Sequence, residues 1–154
     1  VNVFVADEQS QEVDIPSLRE LVHRVLETEG CPPDSEVSLL LVGDDEMAAY
    51  NVRFLERPGP TDVISLPIEE LVPGRPPGSV PGGPPVMLGD VILAPAYIHR
   101  QAEELGEDFG DEIALLTVHG LLHLLGYDHD TEEKAEEMEA RERHILASVG
   151  RRRR

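Results

Sequence analysis

IALLTVHGLLHLLGYDH, residues 113–129, is the stretch on which the fold turns. Leu115, Leu116, Val118, Leu121, Leu122, Leu124 and Leu125 leave no polar face between Ile113 and Leu125, so the segment predicts a helix buried on most sides. It nevertheless carries His119 and His123. Residues i and i+4 lie one above the other on a helix, so both rings can aim at one point. A polar group buried without a partner costs roughly 2–7 kcal/mol depending on the reference state, and a shared metal ion removes that penalty from both rings. Gly126 suits the left-handed residue that closes a helix, and three residues later His129 can return to the same point. Three imidazoles suit zinc, one ion per chain, and leave a fourth tetrahedral position for water, the layout of a catalytic site. Water on such an ion has a pKa near 7, which points to hydrolysis.

The metallopeptidase pattern H-E-x-x-H sets a glutamate directly after its first histidine, and here that position is Gly120. Glycine in mid-helix costs about 1 kcal/mol against alanine, so Gly120 implies a close approach by backbone, substrate or another helix.

Outward from this helix, the pattern alternates strands and helices. Val1 to Ala6 reads as a first strand, and Asp14 or Ser17 is placed to cap a helix running to about Glu29. EVSLLLV, residues 36–42, is a second strand, followed by a helix through Ala48, Tyr50 and Phe54 that Asp44 or Asp45 can cap. Residues 62–66 (DVISL) and 87–93 (MLGDVIL) are third and fourth strands. Pro95 can open a helix to about Leu105, and Asp130 with Glu133 resembles a capping box for a last helix, Glu132 to Ser148. Between the third and fourth strands, residues 73–85 hold six prolines and four glycines in 13 positions, which excludes a helix or central strand and predicts a surface loop. The interleaving argues for a small mixed sheet of about four strands packed on helices, with the histidine helix at its centre.

The 154 residues fit one domain, residues 1–150, with Arg151 to Arg154 as a disordered basic tail. No apolar stretch reaches the ~18 residues needed to span a bilayer, and the start lacks a basic leader, so a soluble cytoplasmic protein with no membrane partner is expected. Cys31 is the only cysteine and reads as an inert thiol; a thiolate zinc cluster is excluded. A net charge of −18, with Lys134 the only lysine, sits awkwardly with nucleic acid, whose phosphates are bound by cations.

HGLLHLLGYDH closely resembles the signature of the YbeY family, the single-domain, metal-dependent endoribonucleases of bacterial ribosomal RNA maturation. The likeness extends through PTDVISLP at residues 60–67, LGDVIL at 88–93 and EEMEARERHIL near the C-terminus, in the family's order and approximate spacing. The resemblance implies a zincin-like α+β fold, zinc held by His119, His123 and His129, and single-stranded ribosomal RNA cut during maturation of the 16S 3′ end. One departure stands out. The family runs N-x-x-[YF]-R before P-T-[DN]-V, and aligning Asn51 and Phe54 puts Leu55 where that arginine belongs. Arg57, two residues on, can present a guanidinium to phosphate, or serve only as a helix-end cation. Asp128 is a candidate to take a proton or to orient a ligand ring, and Thr61 and Ser65 are candidate substrate contacts, with turn capping as the competing role. Tyr127 reads as packing, and His23, His99 and His144 as ordinary helix residues. Two other functions fit some of these features: a ribosome-associated assembly factor with a mainly structural zinc, binding ribosomal particles or a basic ribosomal protein, and a zincin-like hydrolase of another substrate, disfavoured by Gly120.

Overall fold

The computed structural model describes residues 1–154. The chain runs β1 (Asn2–Glu8), α1 (Ile15–Thr28), β2 (Ser35–Val42), α2 (Asp44–Leu55), β3 (Val63–Pro67), β4 (Val86–Leu93), α3 (Pro95–Leu105), α4 (Phe109–Leu124) and α5 (Glu132–Ser148). The four strands form one mixed sheet in the order β1-β2-β4-β3, with β1, β2 and β4 parallel and β3 antiparallel to β4. Strand alternation divides the apolar side chains between two faces. Val37, Leu39, Leu41, Val91 and Leu93 face a main core shared with α1, α4 and α5, whereas Val42, Ile64 and Ile92 close on Met47 of α2 behind the sheet.

Helix α4 lies at the centre, against β3 and β4 on one side and α1, α3 and α5 on the others. That is why its sequence has no polar face: Ile113 to Val118, Gly120 to Leu122, and Leu124 are all buried. At Gly120 the helix lies close against the sheet. A Cβ there would stand 2.8 Å from Val91 Cγ1 and 3.2 Å from both Ser65 Oγ and Val63 Cγ2, so the sheet makes the close approach that this glycine implied. The same crowding leaves a glutamate no room at position 120.

Three expectations need correction. The α2 N-cap is Gly43, with no side-chain cap; Asp44 and Asp45 sit inside the first turn, where they complement the helix dipole. Helix α5 is capped by Thr131, which accepts from Lys134 N–H, rather than by an Asp130 and Glu133 box, because Thr131 is the last extended residue. Residues 151–154, expected as a solvated tail, lie against the body, each arginine in an ion pair. Elsewhere Asp14 caps α1 through Ser17 N–H, residues 73–85 form an irregular, mostly exposed loop, and the Cys31 thiol is pushed up to about 11 by burial, in keeping with inertness. No helix is long and apolar enough to cross a membrane.

Candidate metal centre

The end of α4 sets the site. Gly126 N–H donates to His123 O at 3.1 Å and Tyr127 N–H to Leu122 O at 3.0 Å, the paired bonds of a Schellman motif, with Gly126 at φ 98°. Reversing the chain there requires glycine twice over, for the positive φ and because a Cβ would meet the Leu71 carbonyl oxygen at 2.0 Å. The Tyr127 ring is buried in the turn, with its hydroxyl beside Glu29, itself ion-paired with Arg141 of α5. Burial, and then the neighbouring Glu29 carboxylate, push the tyrosine hydroxyl well above its ordinary pKa.

Beyond the turn, His129 closes a triangle with the two helix histidines. Ring centroids are 4.5 Å apart for His119 and His123, 5.4 Å for His119 and His129, and 5.2 Å for His123 and His129. One nitrogen from each ring lies within 4.8 Å of the others, and the Nε2 atoms of His119 and His123 are 3.0 Å apart. Two nitrogens on a tetrahedral ion with bonds of about 2.0–2.1 Å would stand about 3.3–3.4 Å apart, so the helix pair is near coordination geometry before any adjustment. His129, on the exposed turn, is the ring with freedom to move in.

The surroundings of His119 and His123 suit ligation. His119 Nδ1 meets Glu142 Oε2 at 2.7 Å, which places the ring proton on Nδ1 and the lone pair on Nε2, facing the other histidines. Burial would raise the Glu142 carboxyl, but hydrogen bonds from His119 and Arg153 outweigh it and hold the group below the usual range, as an anion. The His123 pKa is lowered by burial and then by its two histidine neighbours, which favours the neutral ring that a metal needs. Three imidazoles, one oriented by a carboxylate, can hold a divalent metal ion.

Of the other candidate residues, Ser65 donates to the Gly120 carbonyl at 2.9 Å and ties β3 to α4. Thr61 Oγ1 makes only a long contact, 3.4 Å, to Asp62 Oδ1, while that oxygen accepts from Val63 N–H at 2.7 Å and fixes entry to the strand. Asp128 is exposed and accepts its neighbour His129 N–H through Oδ1 at 2.8 Å. Arg57 is exposed just after α2 and makes no ion pair; Leu55, the last residue of α2, is 44% exposed. His23 and His144 are exposed on their helices, and His99 packs against Phe109 with the two rings tilted by 48°, all apart from the triangle. Glu142 received no role from sequence. Its signal was there: Met138, Glu142, Ile145 and Leu146 share one face of α5, so a carboxylate stands in an apolar stripe.

The family model described as Endoribonuclease YbeY matches residues 4–150. A protein of Acidothermus cellulolyticus named Endoribonuclease YbeY is 44% identical over 96% of this chain and 91% of its own length. One of the same name from Mycolicibacterium smegmatis is 42% identical over 95% of this chain and 82% of its own. A Thermotoga maritima protein solved in solution superposes with a TM-score of 0.62 at 23% identity, covering 96% of this chain and 91% of that one, a likeness of fold.

Proposed function

Because the chain belongs to the Endoribonuclease YbeY family, we propose that it is a zinc-dependent, single-strand-specific endoribonuclease of the cytoplasm that acts on ribosomal RNA, at the 3′ end of the 16S species, in maturation and ribosome quality control. The observation that carries this reading is the triangle of His119, His123 and His129 with Glu142 behind it. Nitrogen donors favour zinc over magnesium or calcium, which take oxygen ligands, and three of them leave a position open to substrate or water. Zinc held there would supply Lewis acidity to a phosphodiester oxygen and activate water at neutral pH.

The chain's own residues would do the rest. Arg57, exposed and without an ion pair, is free to contact a phosphate and offset charge that develops in cleavage. Asp128 has one oxygen engaged by His129 N–H, which leaves the other to accept a proton from the attacking water. The Thr61 hydroxyl, weakly engaged, can donate to the RNA backbone. Ser65 is committed to the Gly120 carbonyl and supports the site from behind. Peptide cleavage is disfavoured, since position 120 holds no base and has no space for one.

The test pairs metal content with cleavage of a single-stranded 16S 3′ fragment, for wild type and His123→Ala. Wild type is expected to hold about one zinc per chain and to cut, and the variant to do neither. Cleavage by the metal-free variant would overturn the zinc mechanism. Zinc without cleavage, with retention on ribosomal particles, would replace it with the assembly-factor reading.

A further inference from the structure

Two glutamates are sunk into the helical side of the molecule: Glu112 in the first turn of α4 and Glu142 in α5, each 1% exposed. An ionised carboxylate that far from water persists only when paired and hydrogen-bonded. Both are met by consecutive arginines from the segment after α5. Arg154 Nε donates to Glu112 Oε1 at 2.6 Å, and Arg153 Nε donates to Glu142 Oε1 at 2.8 Å, with its Nη2 3.5 Å from Glu139. What differs is the second oxygen of each carboxylate. Glu112 Oε2 accepts from Gln101 at 3.2 Å, and that amide reaches on to Asp62. Glu142 Oε2 meets His119 Nδ1 at 2.7 Å.

We propose that Arg153 is a positioning residue for the metal centre, holding the Glu142 carboxylate in the plane that fixes the His119 ring. The proposal rests on reading the three histidines as the metal site. A carboxylate held at one oxygen only can swing about its terminal torsion, which is broad for glutamate. Held at both, by Arg153 on Oε1 and His119 on Oε2, it has one orientation, and the imidazole plane follows. Partners of this kind behind a ligating histidine commonly change metal affinity about 10- to 100-fold when removed. Arg153 acts one bond further out, so its effect belongs at the lower end. Arg154 is a control supplied by the fold. It neutralises an equally buried glutamate from the adjacent position, yet its chain of contacts runs through Gln101 to Asp62 at the entry to β3 and meets none of the three histidines.

The experiment uses the full chain loaded with zinc, and follows metal transfer to an excess of chromogenic chelator for wild type, Glu142→Gln, Arg153→Gln, Arg153→Lys and Arg154→Gln. Thermal unfolding is recorded for each, along with the visible spectrum of the cobalt-substituted protein. Release is expected to be about 10- to 100-fold faster in Glu142→Gln and, at the lower end of that range, about 10-fold faster in Arg153→Gln. Arg153→Lys, which can still donate one bond, should recover part of the difference. Arg154→Gln should lower the unfolding temperature much as Arg153→Gln does, with release and cobalt spectrum unchanged. Equal release from Arg153→Gln and Arg154→Gln would overturn the positioning role while leaving the metal site intact. A wild type that takes up neither zinc nor cobalt would instead overturn the metal reading beneath it.

Discussion

Replacing Gly126 by alanine tests the step from helix end to metal site. Two costs add at this position. Alanine at φ 98° lies outside the right-handed and extended regions, and left-handed backbone costs an L-residue roughly 1–2 kcal/mol. The new methyl carbon would also start 2.0 Å from the Leu71 carbonyl oxygen and 3.2 Å from Val72 N, so either the 71–72 segment moves or the turn opens. Overpacking of this kind costs about 1–3 kcal/mol. The sum, about 2–5 kcal/mol, is a large part of the 5–15 kcal/mol typical of a whole domain. Urea unfolding, with zinc chelated so that binding adds nothing, should show a midpoint lower by about 1–2.5 M at a slope near 2 kcal/mol/M. Gly106 supplies the comparison. It ends α3 at φ 67° with nothing within 4 Å of the methyl that alanine would add, so Gly106→Ala should lose only the backbone cost of roughly 1–2 kcal/mol. Equal losses at the two glycines would refute the reasoning that Leu71 clamps the turn.

Alkaline pH should act on the same turn. The Tyr127 pKa is raised in the fold, so its contribution is fully present below its unfolded value of about 10 and is lost as pH rises towards the folded value. Stability should therefore fall above about pH 10, and Tyr127→Phe should flatten that fall; an unchanged slope in the variant would remove Tyr127 as its source. On the substrate side, Arg57→Gln should reduce RNA cleavage on the order of 10²-fold with metal content unchanged. Leu55→Arg, which restores the family's cation at an exposed helix end, should raise RNA affinity and steepen its salt dependence by about 0.7 in the log–log slope. A slope indifferent to both substitutions would place the RNA elsewhere.

The histidine helix, the turn and the alternation of elements were legible because each rests on local rules. An all-apolar helix must be central, Gly126 must turn, and His129 follows three residues later. Strand order was not legible, because nothing local states that β4 lies between β2 and β3. The role of Ser65 was equally hidden, since its partner is a carbonyl 55 residues away. The arginines after α5 were misread for the same reason: a run of four cations looks solvated until the buried carboxylates it meets, Glu112 and Glu142, are placed in space. Those glutamates were the missing clue, as charges in apolar surroundings that needed partners from somewhere.

Helix α5 joins the two supports of the histidine triangle. Its Arg141 pairs with Glu29, which stands beside Tyr127 in the turn leading to His129; the next residue, Glu142, meets His119. Adjacent residues on one helix thus reach the triangle from two sides, one through the turn and one through a ring. Neither contact is an efficient route to stability, because desolvating a charged pair offsets most of what its attraction returns, and an apolar pair of the same volume often serves the fold as well. What an apolar pair cannot do is aim a ring nitrogen. Arg141 Nε is even left without a partner, a cost with no return in the packing of α5. The polar groups buried here are therefore best understood through the geometry they impose on His119 and His129, and the metal-release and alkaline-unfolding measurements read those two arms separately.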